Sequence, residues 1–277
     1  MTIKSLLSHL ANIRSKQPWL VLNAASQYSL ARSHDPAISH FYSFETGDSA
    51  PSSFAIPDGC VDIIFDCNSK QPQALVFGTP MKAIDTQFQA KHRYFGVRFS
   101  SGVIPNFLDI SAQDLIEKSF DFLDVVPQAN YLVEEIIQET NFNSQVAAFK
   151  QFFSDKSLRK SSSLTAIVMR RIFDTNGNIR IRELEALTGY TSRTLQRQFR
   201  ADIGMSPKAY SRIIRCQSAV YQINQMDHVN FSDMAFELGF SDQSHFFREF
   251  KKLVNATPLD YQNRVKQGSY LERIRCS

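Results

Sequence analysis

One pattern occurs twice in the last third of this chain, and no other feature constrains the fold as strongly. Gly189-Tyr190-Thr191-Ser192 is followed by Leu195, Arg197 and Phe199. Gly239-Phe240-Ser241-Asp242 is followed by Phe246, Arg248 and Phe250. The glycines lie 50 positions apart and the later residues 51, so the second trailing segment is one residue longer. Each copy prescribes a helix ended by a glycine, a sharp turn, a small polar cap and a second helix.

In the first copy Ile181, Leu184 and Leu187 recur at helical spacing, and Gly189 can take the left-handed backbone that ends a helix. Thr191 or Ser192 caps the next helix; Leu195, Phe199 and Ile203 point inward. Arg193, Thr194, Gln196, Arg197 and Arg200 are left outside. In the second copy Phe231, Met234, Ala235 and Leu238 pack, Ser241 or Asp242 caps, and Phe246, Phe250 and Leu253 point inward. Gln243, Ser244, His245 and Arg248 then face out, with Lys251 and Lys252 near the helix end. Arg and Gln are side chains that read guanine and adenine edges in a major groove, whereas lysines suit phosphates. Each copy closes on Ser206-Pro207 or Thr257-Pro258, a cap followed by proline at the first helical position. After Pro207 the pattern predicts a helix to about Gln225. Its length of about 28 Å suits a strut holding two recognition helices about one DNA turn, roughly 34 Å, apart.

The stretch from Phe231-Ser232-Asp233-Met234-Ala235 through Gly239-Phe240-Ser241-Asp242-Gln243-Ser244-His245-Phe246-Phe247-Arg248-Glu249-Phe250, with Thr257-Pro258 and Tyr261, resembles the signature of AraC/XylS-type transcription regulators. The resemblance covers about residues 164–265 and implies an all-α domain of seven helices with two helix–turn–helix units. It also implies base-reading roles for Arg193, Thr194, Gln196 and Arg197, then Gln243, Ser244, His245 and Arg248. Arg200, Lys251 and Lys252 are expected on phosphates. Asn255 stands where the family usually has glycine; asparagine also tolerates a left-handed backbone.

Charge agrees with this division. The chain has 277 residues and a net charge of +4. Residues 161–277 hold 17 Lys and Arg against 11 Asp and Glu, and residues 1–160 hold 14 against 16. The basic half is the one with the repeat, as phosphate binding requires. No apolar run is long enough for a membrane span. Lys4, His9, Arg14 and Lys16 interrupt any signal-peptide core, so residues 1–19 read as an amphipathic helix and the chain as cytoplasmic and, by resemblance, bacterial. Cys60, Cys67, Cys216 and Cys276 form no C-x-x-C pair or zinc spacing, and no cofactor is expected. They read as free thiols, with a redox or alkylation switch at Cys60 and Cys67 as the sharper alternative.

The first half has a different period. Phe41 to Phe44, Val61 to Asp66, Ala74 to Phe77 and Tyr94 to Phe99 read as strands, with Pro57-Asp58-Gly59 a turn. From Ser111 the pattern turns helical, opened by Ser111-Ala112-Gln113-Asp114 as a capping box. The expected fold is therefore α+β: a small β-barrel or sandwich, cupin-like by resemblance, with about three helices, then the seven-helix domain. The boundaries read as 1–155 for a sensor and dimerisation domain, 156–163 for a serine-rich linker, 164–265 for the DNA-binding domain and 266–277 for a tail.

Ile56 to Phe65, with Tyr94 to Phe99 and Gly102, resembles one poorly characterised subgroup of sensor domains that names no ligand. A barrel mouth is a common ligand site, and Tyr42, Asp62, His92 and Arg98 are the polar or aromatic candidates. Arg98 reads either as a holder of an anionic ligand or as a solvent-facing arginine; His40 and His92 have no partner spacing for a metal. The helices over about 128–153 have apolar faces that fit either the barrel or a second copy of the chain. The expected function is sequence-specific transcription regulation at double-stranded promoter DNA, with activation favoured by the resemblance. A small molecule or partner protein would control it through the first half, and RNA polymerase would be a further partner. The competing readings are a cysteine-acceptor DNA alkylation-response protein, and an effector-free regulator controlled by a protein partner.

Overall fold

The computed structural model describes residues 25–48, 53–68, 70, 72–86, 88–226, 228–267 and 274–276. The amphipathic helix expected over 1–19 lies outside them. The first half is built on strands β1 (Ala25–Arg32), β2 (Ile38–Thr46), β3 (Ser53–Ala55), β4 (Asp62–Asp66), β5 (Gln73–Phe77), β6 (Ile84–Thr86), β7 (Arg93–Phe99) and β8 (Ser119–Asp121). Seven strands form one sheet in the order β8-β5-β4-β7-β2-β1-β9, and β3 pairs with β6 in a second, two-stranded sheet. β9 (Ile274–Cys276) runs parallel to β1, with Tyr28 opposite Ile274, so part of the expected tail returns to the first half. The ladder leaves β8 and β9 as edges among the described residues, so the barrel or sandwich is here an open sheet with a small sheet beside it.

Alternation along the strands splits the main sheet into two faces. Ile63, Phe65, Phe95, Val97, Phe99 and Phe41 are buried on one. Against it pack α2 (Asn130–Gln138) and α3 (Phe142–Phe153), which follow the single turn α1 (Phe122–Val125). Leu132, Val133 and Ile136 of α2 and Val146, Phe149 and Phe153 of α3 supply the covering surface. These helices therefore spend their buried faces on the sheet of their own chain. The expected helix at Ser111 is a run of turns instead, although Ser111 and Asp114 do bond reciprocally.

The second half has seven helices among the described residues: α4 (Ser163–Asp174), α5 (Ile181–Thr188), α6 (Ser192–Ile203), α7 (Pro207–Gln225), α8 (Phe231–Glu237), α9 (Gln243–Val254) and α10 (Pro258–Gln267). Between the halves, residues expected as linker are tied down. Leu158 bridges to Pro105, and Arg159 donates to the carbonyls of Leu108 and Ile110. No helix among the described residues is long and apolar enough to cross a membrane.

Candidate DNA-reading surface and adjoining cavity

Each helix–turn–helix unit is shaped by its caps. Gly189 ends α5 at φ +73°, and Thr191 accepts from the amide of Thr194 to start α6. In the second unit Gly239 turns at φ +72°, and Asp242 accepts from the amide of His245 to start α9. Both recognition helices have 12 residues and bury one stripe: Leu195, Phe199 and Ile203 in α6, Phe246, Phe250 and Leu253 in α9. The opposite stripes leave Arg193, Gln196, Arg197 and Arg200, then Gln243, Ser244 and Arg248, exposed. Thr194 and His245 are half-buried; His245 lies edge-on to Phe240 with Nδ1 3.1 Å from Ser241 Oγ. Lys251 and Lys252 are exposed. Leu187, expected inward, is 52% exposed, because the short α5 meets the core through Leu184 and Ile181.

Between the units runs α7, 19 residues long and capped by Ser206 with Pro207 at its first turn. Its basic face was missed by the sequence reading, although Lys208, Arg212 and Arg215 fall at helical spacing. Together with Arg180 and Lys252 they line a cleft of about 650 Å³. Arg212 pairs with Glu249 at 2.8 Å, and Arg215 lies over the Phe240 ring. Arg180 and Lys208 are exposed.

The uncovered face of the main sheet forms a second feature. With β3 and β6 it encloses a cavity of about 470 Å³ lined by apolar and aromatic residues, with Tyr42, Asp62 and Arg98 in its wall. Three of the four sequence candidates thus meet. His92 does not line the cavity; its Nδ1 is 2.7 Å from Asp66 Oδ2. Tyr42 lies across Gly96, where a Cβ would fall 2.0 Å from its ring. Its hydroxyl donates to Asp62 at 3.2 Å, and burial, reinforced by Asp62, drives its pKa well up.

Arg98 is neither solvent-facing nor set to hold an anion. Its side chain is 14% exposed, with Nε and Nη2 on Asp62 at 2.8–3.1 Å and Nη1 3.0 Å from Asp58. Burial opposes its charge, but the two carboxylates outweigh that and hold its pKa well above the ordinary value. Burial raises the Asp58 carboxyl against the pull of Arg98. Asp58 sits in a loop, where strand alternation carried no signal for it. Among the described side chains Cys60, Cys67 and Cys216 are buried, and burial pushes Cys67 up and Cys216 up to about 12. Among the described residues no group of three or more His, Cys, Asp or Glu is placed to hold a metal ion.

The loop carrying Asp58 also touches the helical half. Pro57 O accepts from Gln217 Nε2 at 2.6 Å, and Asp58 O accepts from Ser101 Oγ, which lies 2.8 Å from Tyr210 OH. Gly59, at φ +75°, lets Tyr210 approach, since a Cβ there would fall 2.8 Å from its ring. Ile56 is buried in the core of the second unit. One loop thus lines the cavity on one side and docks on α7 on the other.

Comparison with known proteins fits this division. Residues 184–264 match a helix-turn-helix domain family, and residues 33–121 match a domain of unknown function, DUF6597. The chain is 30% identical over 86 residues to the HTH-type transcriptional activator RhaS of Klebsiella pneumoniae (strain 342), a match covering 31% of this chain and 29% of that one. It is 33% identical over 73 residues to RhaS of Yersinia pestis (strain Pestoides F), covering 26% of each. The matches span less than a third of these relatives. Among solved structures, the C-terminal domain of AraT, a response regulator from Geobacillus stearothermophilus, aligns with 38% of this chain and 88% of its own at 17% identity and TM-score 0.36. ToxT from Vibrio cholerae O395 aligns with 87% of this chain and 99% of its own at 14% identity and TM-score 0.43. Residues 184–264, with their doubled, capped helix–turn–helix units, are thus a helix-turn-helix domain of the AraC type, similar to that of the RhaS activators, and residues 33–121 match a domain of unknown function.

Proposed function

We propose that this protein is a sequence-specific DNA-binding transcription regulator, an activator, controlled by a small molecule held in the cavity of its first half. The observation that carries the reading is the pair of capped helices α6 and α9. Each buries one stripe and exposes an Arg- and Gln-bearing one, and both are attached to a single 19-residue strut. Arg193, Thr194, Gln196 and Arg197 read one major-groove segment, and Gln243, Ser244, His245 and Arg248 read the next. Arg200, Lys251 and Lys252 contact phosphates, joined by Arg180 and Lys208 from the cleft between the units.

Tyr42, Asp62 and Arg98 belong to the ligand wall, with Asp62 as acceptor and Arg98 as its positioning partner. The loop between β3 and β4 supports control from this site, because it contacts both the cavity and α7. A ligand shifts promoter occupancy only to the extent that it binds two arrangements of that loop unequally. The protein works in a bacterial cytoplasm, with promoter DNA and RNA polymerase as partners, as a homodimer.

The test is genomic footprinting with the full chain, followed by gel retardation on the recovered sites. Protected sites with two conserved segments about one helical turn apart are expected. Protection without any shared sequence would overturn the reading.

A further inference from the structure

We infer that the cavity takes a small organic cation, an ammonium group carried on a largely apolar body. The inference rests on the reading of the cavity as a ligand site and gives that ligand its chemistry.

The floor of the cavity carries two carboxylates to one guanidinium. Asp58, Asp62 and Arg98 have side chains only 4%, 12% and 14% exposed, so the formal charge of −1 on this cluster is poorly screened by water. A buried net charge is costly until a counter-charge reaches it. Burial raises Asp58, so a proton is one remedy; a cationic ligand is the other. The neighbouring Asp66 already has His92 at 2.7 Å. At the rim, Asp85 and Glu117 outnumber Lys118, so an approaching anion gains nothing there either.

The walls fit the same ligand. Phe88 and Tyr94, whose rings stand 4.9 Å apart, line the cavity together with Tyr42, and aromatic rings of this kind attract a cation. Leu75 and Ile64 line the sheet side and suit an apolar body. The volume of about 470 Å³ lies within the usual range for small-molecule sites.

Isothermal titration of the full chain with 4-phenylbutylammonium, 4-phenylbutanol and 4-phenylbutyrate separates charge from shape. Saturable binding of the ammonium, about tenfold or more tighter than either of the others, is expected. Equal or tighter binding of the alcohol or the carboxylate overturns the proposal, as does no saturable binding of any of the three. Asp62→Asn should lower the ammonium affinity about tenfold and leave the alcohol unchanged. Because Asp62 also holds Arg98, a second variant is needed: Leu75→Trp fills the cavity without altering its charge and should abolish binding of all three. Unchanged ammonium binding in Leu75→Trp places the site elsewhere. Gel retardation on the same preparations keeps the two readings apart. Loss of DNA recognition with intact ammonium selectivity breaks the regulator reading alone, and DNA recognition without that selectivity breaks the cation site alone.

Discussion

The two helix–turn–helix units share a local pattern and differ in what anchors them. Leu184, Leu195, Phe199 and Ile203 of the first unit belong to the same apolar cluster as Phe41, Phe95 and Phe149 of the sheet domain. The second unit has its own cluster around Phe246, Phe250, Leu253 and Tyr261, which the first half enters with Ile56, with Phe54 and Ala83 at its edge. The helix ends show the same contrast. Gly204 ends α6 at φ +87°, and a Cβ there would fall 2.1 Å from the carbonyl oxygen of Ala112 in the first half. Asn255 ends α9 at φ +57° and is exposed, so a side chain is tolerated. A repeated pattern specifies a unit's shape; its attachment is settled by which neighbours happen to cover it. The first unit is built into the sheet domain, and the second hangs from α7 and the Ile56 loop.

The largest expected effect tests that difference at the helix ends. Gly204→Ala should cost about 2–5 kcal/mol, from a left-handed backbone and a backbone clash. Asn255→Gly should change stability by less than about 1 kcal/mol. Urea unfolding of both variants checks this, and equal costs would remove the distinction. Next, Ile56→Ala should cost about 2–4 kcal/mol by opening a hole in the second unit's core. Amide exchange should speed up in α9 more than in α6; the reverse order would mean that the Ile56 loop does not anchor the second unit.

Arg197→Ala and Arg248→Ala should each cost about 1–3 kcal/mol of specific DNA binding. Each should relax one base position, the two lying about one helical turn apart. Titration of substituted sites checks this, and a uniform loss over all sequences would reassign the arginine to phosphate.

The smallest effect concerns Asp202 of α6, which accepts from the Ser162 amide and hydroxyl at 3.0 and 2.7 Å. Burial pushes its carboxyl up, but the hydrogen bonds from Thr165, Ser162 and Gln198 outweigh that and hold it below the usual carboxylate range. Its stabilisation is therefore full above the unfolded value of about 3.9 and is lost as pH falls through the lowered native value. Asp202→Asn should remove roughly 0.5–1 kcal/mol at neutral pH, after solvent screening, and flatten the acid limb of the stability curve. An acid limb identical to that of the parent chain would contradict this.

Everything with a local period could be read from the residues in order. The breakers Gly189 and Gly239, the cap Ser206, the span of α7 and the buried stripes of α6 and α9 follow from residue type and from spacings of three and four. The same spacings leave Thr191 or Ser192, and Ser241 or Asp242, as alternative caps, and the fold decides in favour of Thr191 and Asp242. The alternation in β4 and β7 likewise separated Ile63, Phe65, Val97 and Phe99 from Asp62 and Arg98. Spacing names a face but not its cover. Leu187 and Ile167 sit at helical apolar positions and are still 52% and 48% exposed, because nothing is packed over them. Arg98 and Asp62 sit on the polar side of their strands, and only the arrival of β3, β6 and the Asp58 loop turns that side into a cavity floor. The contact between Pro57 and Gln217 joins residues 160 positions apart. Long-range contacts of that kind leave no period along the chain, so the link between cavity and strut exists only in the folded molecule.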